Sequence, residues 1–197
     1  DALNIVGGIY LREGKYHEAA REFRKVVTEE PNSFEANFNL GLALFGAEEL
    51  DASLDSFRKA VLLSPEHAEA HFNLGVVLYT IGKINDAVHE FDQVIRIDQS
   101  DDRAFFNRGV ALHDLGRTTE AVESYKKVLC VNPHHSAAHF NLAVALEADG
   151  QLDSAEQSVR KALKLDDLNA AAHSRLGGLL IRKGKWRRAI RELRRAI

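Results

Sequence analysis

Residues 34–67 read "FEANFNLGLALFGAEELDASLDSFRKAVLLSPEH", and the placement of apolar residues in this stretch decides the fold. From Ala36 to Gly46, Phe38, Leu40, Gly41, Leu44 and Phe45 recur at helical spacing, until Glu48, Glu49 and Asp51 interrupt the run. Leu54, Phe57, Ala60, Val61 and Leu63 then repeat the spacing and stop at Ser64-Pro65. Proline lacks an N–H and restricts the residue before it, so this boundary has a steric cause. The stretch predicts two helices joined by a short turn.

The same pattern extends over the whole chain in one 34-residue register with no insertion. Gly7, Gly41, Gly75, Gly109 and Gly177 share one position, and Pro31, Pro65 and Pro133 share another. A period of this length marks a solenoid, in which each unit buries its apolar face only against its neighbours. The units run 1–33, 34–67, 68–101, 102–135, 136–169 and a truncated 170–197, forming a single array over 1–197. Mid-helix glycine costs about 1 kcal/mol relative to alanine, so the Gly41 series implies close approach of the partner helix. Ala19, Ala87, Ala121, Ala155 and Ala189, with Ser53, supply the small position on the second helix. Gly14, Gly82, Gly116, Gly150 and Gly184 fall at the turn, where a left-handed residue ends the first helix.

Composition removes several classes of function. With 45% hydrophobic and 28% charged residues the chain is a folded protein, outside the range of disorder. No apolar run is long enough to span a bilayer, and none has the form of a secretion signal. Cys130 stands alone, which excludes an internal disulfide and favours a reducing, intracellular and cytoplasmic setting. The absence of Met leads us to expect a fragment or processed product. Net charge is −3, but residues 170–197 carry nine Lys or Arg against Glu192 alone, so a basic end follows an acidic body.

Aromatic-x-x-Leu-Gly, then Gly-x-aliphatic-x-x-Ala, then Phe, Ala and Pro resembles the tetratricopeptide repeat, and "FNLGLAL", "FNLGVVL" and "FNLAVAL" match it closely. The resemblance covers all six units. It implies an all-α fold, a right-handed tetratricopeptide-repeat superhelix (an α-solenoid) of about six stacked helix-turn-helix repeats. First helices would line a concave peptide-binding groove, and the protein would be a scaffold for protein binding, with no catalytic residues and no cofactor. Three positions depart from the pattern: Arg108 stands where Leu40, Leu74, Leu142 and Leu176 stand, and Val159 and Leu193 replace the aromatic of Phe23, Phe57, Phe91 and Tyr125. Arg108 is expected to pack its stem and send its head to Asp101 or Asp102. The last two repeats are expected to have less bulky cores.

The groove candidates form rows. Asn39, Asn73, Asn107 and Asn141 share one first-helix position beside Phe38, Phe72, Phe106 and Phe140. A side-chain amide offers a donor and an acceptor, so a spaced row can hold the backbone of an extended peptide while aromatics anchor it. The simpler alternative is that the amides bond a neighbouring helix and the rings pack between repeats. The Asn row is similar to that in the repeats attached to O-linked N-acetylglucosamine transferases, where it holds peptide. Tyr79 and His113, with Glu147, share a further groove position that would tune ligand choice, and Arg175 extends the Asn row. Another branch of the family clamps a peptide carboxylate. Phe38, Phe72 and Phe106 occupy its first Lys position here and Leu42, Val76 and Val110 its Asn position, so only Asn141 with Arg175 remains of that clamp.

Other chemistry dissolves into the period. His67 with His71, and His135 with His139, have metal-ligand spacing, but the pairs lie two periods apart with no Cys or carboxylate set, so no metal is expected. Gly8 to Lys15 and Gly178 to Lys185 mimic a phosphate loop with the wrong spacing and no strand. Arg187, Arg188, Arg191, Arg194 and Arg195 form a basic surface on the last helix. It reads first as a solvated face and next as a dock for an acidic partner. Nucleic acid is disfavoured because only Trp186 interleaves an aromatic. Ile190, Leu193 and Ile197 would leave an apolar edge, so self-association through terminal repeats stands as the alternative to peptide binding. A third possibility is the recognition arm of a larger enzyme such as a glycosyltransferase.

Overall fold

A computed structural model describes residues 2–197, and its described residues form twelve helices and no strand. They divide into two compact units, Asp1–Gln99 and Ser100–Ile197. The first unit holds three helical hairpins: α1 (Ala2–Arg12) with α2 (Tyr16–Glu29), α3 (Phe34–Gly46) with α4 (Leu50–Leu63), and α5 (Ala68–Thr80) with α6 (Ile84–Ile97). The second repeats the plan with α7 (Asp102–Asp114) and α8 (Thr118–Val131), α9 (Ser136–Ala148) and α10 (Leu152–Leu165), and α11 (Ala170–Arg182) and α12 (Trp186–Arg195). Within each unit the second helix of one hairpin packs on the first helix of the next, which makes each an all-α stack of helix-turn-helix repeats. No helix among the described residues is long and apolar enough to cross a membrane.

The sequence explains where helices start. Ser33, His67, Asp101, His135 and Asn169 each cap a first helix by accepting from the backbone N–H three residues on. This places the start of α3 at Phe34, two residues earlier than the apolar spacing suggests. Second helices have no side-chain cap. Their turns close through backbone bonds instead, such as Lys83 N–H to Leu78 C=O at 2.8 Å, with Gly82 at φ +80°. The position that is glycine in five hairpins is Glu48 in the second, held at φ +61°.

Each hairpin closes around one small-to-large contact. A Cβ on Gly7, Gly41, Gly75 or Gly109 would meet the ring of Phe23, Phe57, Phe91 or Tyr125 at 2.7–2.8 Å, so glycine is required for the helices to approach. Val159 is accommodated differently: Ala143 replaces the glycine in the same register, and both residues are fully buried. The less bulky side chain is thus matched by a bulkier partner. Ser53 fills the recurrent alanine position, fully buried, and donates to Gly41 C=O at 2.9 Å.

Candidate functional site

The candidate groove residues all lie on first helices, α3 and α5 in the first unit and α7, α9 and α11 in the second. Asn39, Asn73, Asn107 and Asn141 are half-buried, and so are Phe38, Phe72, Phe106 and Phe140. Asn73 donates through Nδ2 to Glu69 C=O at 2.7 Å, and Asn107 to Arg103 C=O at 2.9 Å. Both bonds stay within one helix, one turn back, and tether the amide nitrogen. Among the described residues, none donates to either amide oxygen.

The Phe row is more structural than its periodicity suggests. Phe38 lies edge-on to Phe57 at 5.8 Å and stacks on Phe34 at 5.6 Å. Phe72 meets Phe91 at 5.9 Å, while Phe106 meets Tyr125 at 6.0 Å and His135 at 4.9 Å. Each of these rings therefore packs on the second helix of its own hairpin. Phe140 has no aromatic opposite it, because Val159 stands there. It lines a hollow of about 330 Å³ with Glu147, Ser174 and Arg175.

Charge in that hollow is arranged around one carboxylate. Glu147 accepts from Arg175 Nη1 at 3.1 Å and from Arg182 Nη1 at 3.2 Å, so two guanidiniums bracket one acid and leave a cationic excess. Arg175 is thus a paired residue. His113 is half-buried, and its Nδ1 is enclosed with no hydrogen-bond partner. Tyr79 is half-buried on α5.

The remaining residues singled out from sequence are also placed. His67 and His135 are helix caps, their Nδ1 atoms accepting from Ala70 and Ala138 N–H at 3.2 Å. His71 and His139 reach back to the carbonyls of Pro65 and Pro133 at 2.9 and 3.0 Å through Nε2. The metal-like spacing therefore joins a cap to a side chain that bonds the preceding turn. Arg108 turns to its own hairpin, where Nη1 donates to Ser124 Oγ at 2.7 Å. Arg187, Arg188, Arg191, Arg194 and Arg195 are all exposed, and Arg191 reaches Glu192 at 3.4 Å.

Buried contacts between carboxylates and basic side chains were not apparent from the sequence. His71 Nδ1 meets Glu90 Oε2 at 2.6 Å, and His173 Nδ1 meets Glu192 Oε2 at 2.9 Å. The bond to Glu90 raises the His71 pKa above its ordinary value although burial opposes it, whereas burial lowers that of His139, which has no acid. Glu156, 4% exposed, is held by Lys183 and Arg160; burial pushes its carboxyl up, but the two cations outweigh this and hold it low. The signal for the His pairs was present, since His71 and Glu90 recur as His173 and Glu192 three periods on.

Comparison with known proteins fits this geometry. Tetratricopeptide repeat profiles match residues 8–65, 114–170 and 148–197, and a TPR repeat profile matches 77–116. No curated protein sequence matches the chain. A crystal structure of MamA superposes with a TM-score of 0.80 at 25% identity, covering 84% of this chain and 97% of that one. MamA from Desulfovibrio magneticus RS-1, from residue 41 to its end, gives 0.79 at 20% identity over 83% and 92%. YrrB, described as a TPR protein with an unusual peptide-binding site, gives 0.78 at 23% identity over 90% and 92%. With profiles matching most of its length and hairpins built on one register, the chain belongs to the tetratricopeptide repeat family.

Proposed function

We propose that this protein is a non-catalytic scaffold that holds an extended peptide or partner segment along its first helices. One observation carries the reading: the amides of Asn73 and Asn107 are tethered by nitrogen to their own helices, which leaves their oxygens to accept from a ligand backbone. This also weighs against the simpler alternative, in which the amides tie neighbouring helices together. The unpartnered Nδ1 of His113 adds a second polar group, and the hollow beside Phe140, lined also by Glu147, Ser174 and Arg175, offers a largely polar recess. The peptide-binding site described for YrrB supports the same use of this fold.

The test uses peptides selected from a random display library against the intact chain. Replacing Asn39, Asn73, Asn107 and Asn141 by Ala should weaken their binding at least tenfold while the thermal midpoint stays nearly constant. Unchanged affinity with a large loss of stability would show that the row serves the fold.

A further inference from the structure

The second-helix face of the Ser100–Ile197 unit carries a cleft that the groove reading does not use. Leu129 and Cys130 of α8 and Leu165 of α10 form its walls, Leu142 and His139 of α9 lie in its floor, and its volume is about 650 Å³. Lys126, Lys161 and Lys164 stand around it, and no Asp or Glu lines it. Apolar walls with a few placed polar groups are what binding pockets of this size share.

The repeat register shows what is unusual here. Arg58, Val61, Leu62 and Leu74 line a cleft of about 360 Å³ in the Asp1–Gln99 unit, and Lys126, Leu129, Cys130 and Leu142 stand two periods further on. The first cleft also contains Asp86 and Glu90, and Glu90 occupies His71 Nδ1. In the second, those two positions are Ser154 and Ser158. His139 keeps its bond to the Pro133 carbonyl, yet its Nδ1 has no partner although the residue is only 7% exposed. His173, one period later, again has its glutamate.

The chemistry of the missing partner follows from the bond that remains. A carbonyl can only accept, so Nε2 carries the ring hydrogen and Nδ1 of the neutral imidazole is a lone-pair acceptor. A buried acceptor left unmet is costly and calls for a donor. A ligand that completes the site needs an apolar body for the leucine walls, a hydrogen to donate at its tip, and negative charge nearby for three lysines. A phenol or indole side chain in an acidic peptide meets all three conditions. We propose that this cleft is a second docking site, which takes a tyrosine or tryptophan side chain of an acidic protein segment and receives its O–H or N–H at His139 Nδ1.

Cys130, the sole cysteine and exposed on the cleft wall, provides a native reporter. The intact chain is mixed with short glutamate-rich peptides that differ only in a central tyrosine, phenylalanine or alanine; affinity is read by anisotropy and occupancy by slowed alkylation of Cys130. The tyrosine peptide should protect Cys130 and bind about tenfold more tightly than the phenylalanine peptide, and K161E/K164E should weaken both at least tenfold. Ser158→Glu restores the carboxylate found at Glu90 and should erase the preference for tyrosine. If that variant does not fold, His139→Phe serves instead, since Phe105 already holds the equivalent place in α7. Equal affinities for tyrosine and phenylalanine, or a preference that survives both variants, would overturn the proposal. Protection of Cys130 by dodecanoate but by none of the peptides would also overturn it and assign the cleft to an amphiphile.

Discussion

Gly75→Ala tests how the hairpins are held together. The added Cβ would lie 2.7 Å from Phe91 Cε1 and 3.0 Å from Cδ1, against the roughly 3.5–4.0 Å of an unstrained carbon contact. Phe91 is 1% exposed and belongs to the cluster of Leu54, Phe57, Leu74, Val77, Leu78 and Ala87, so the ring has no space into which to retreat. Overpacking of this kind costs about 3 kcal/mol, and the better helix propensity of alanine returns about 1, leaving a net loss of about 2 kcal/mol. Phe91→Val alone should lose about 2–3 kcal/mol through the cavity it opens. The double variant recreates the Ala143 and Val159 pairing and should lose only about 1–2 kcal/mol, a coupling of about 3 kcal/mol. Urea unfolding followed by far-UV circular dichroism measures all three midpoints, with the slopes checked for two-state behaviour. Single losses that add within about 0.5 kcal/mol in the double variant would refute the packing account.

Three further outcomes follow from the structure. Glu48→Gly relieves a left-handed backbone at φ +61° and should raise stability by about 1 kcal/mol, seen as a higher urea midpoint; a lower one would count against it. Ser53→Ala should cost less than about 1 kcal/mol in the same assay, because alanine fills this position in the other five hairpins. Ring titration by nuclear magnetic resonance should place His71 above the ordinary histidine value of 6.5 and His139 below it. The signs then differ. Stability from His71 is fully present below pH 6.5 and lost as pH rises through its raised folded value, whereas His139 costs stability as pH falls below 6.5. His71→Phe should remove the first dependence and His139→Phe the second.

Much of the hairpin plan was legible because it rests on local periodicity. Apolar spacing, the prolines after the second helices and the recurrent small residues all act within one hairpin and appear as fixed intervals. The close approach of the partner helix at Gly41 could be anticipated from the cost of a mid-helix glycine, whereas the ring of Phe57 as its contact could not. What stayed hidden depends on side-chain direction. His71 and Glu90 are 19 residues apart on different helices, and no helical spacing relates them. The half-buried state of the Phe row was hidden for a similar reason: a shared register position says that rings occupy equivalent places, whereas the second helix decides how much of each ring it covers.

Complementary volume in each hairpin also fixes what can be exchanged between repeats. Gly75 with Phe91 and Ala143 with Val159 are two solutions of one packing problem, each spread over two helices. Moving a complete hairpin carries both halves of its solution. Moving one helix does not: α9 opposite α6 would set Ala143 against Phe91, and α5 opposite α10 would leave Gly75 facing a void beside Val159. Recombination that cuts between hairpins should therefore yield folded chains, and recombination that cuts at the turn within a hairpin should yield mismatched ones, although every helix involved is sound.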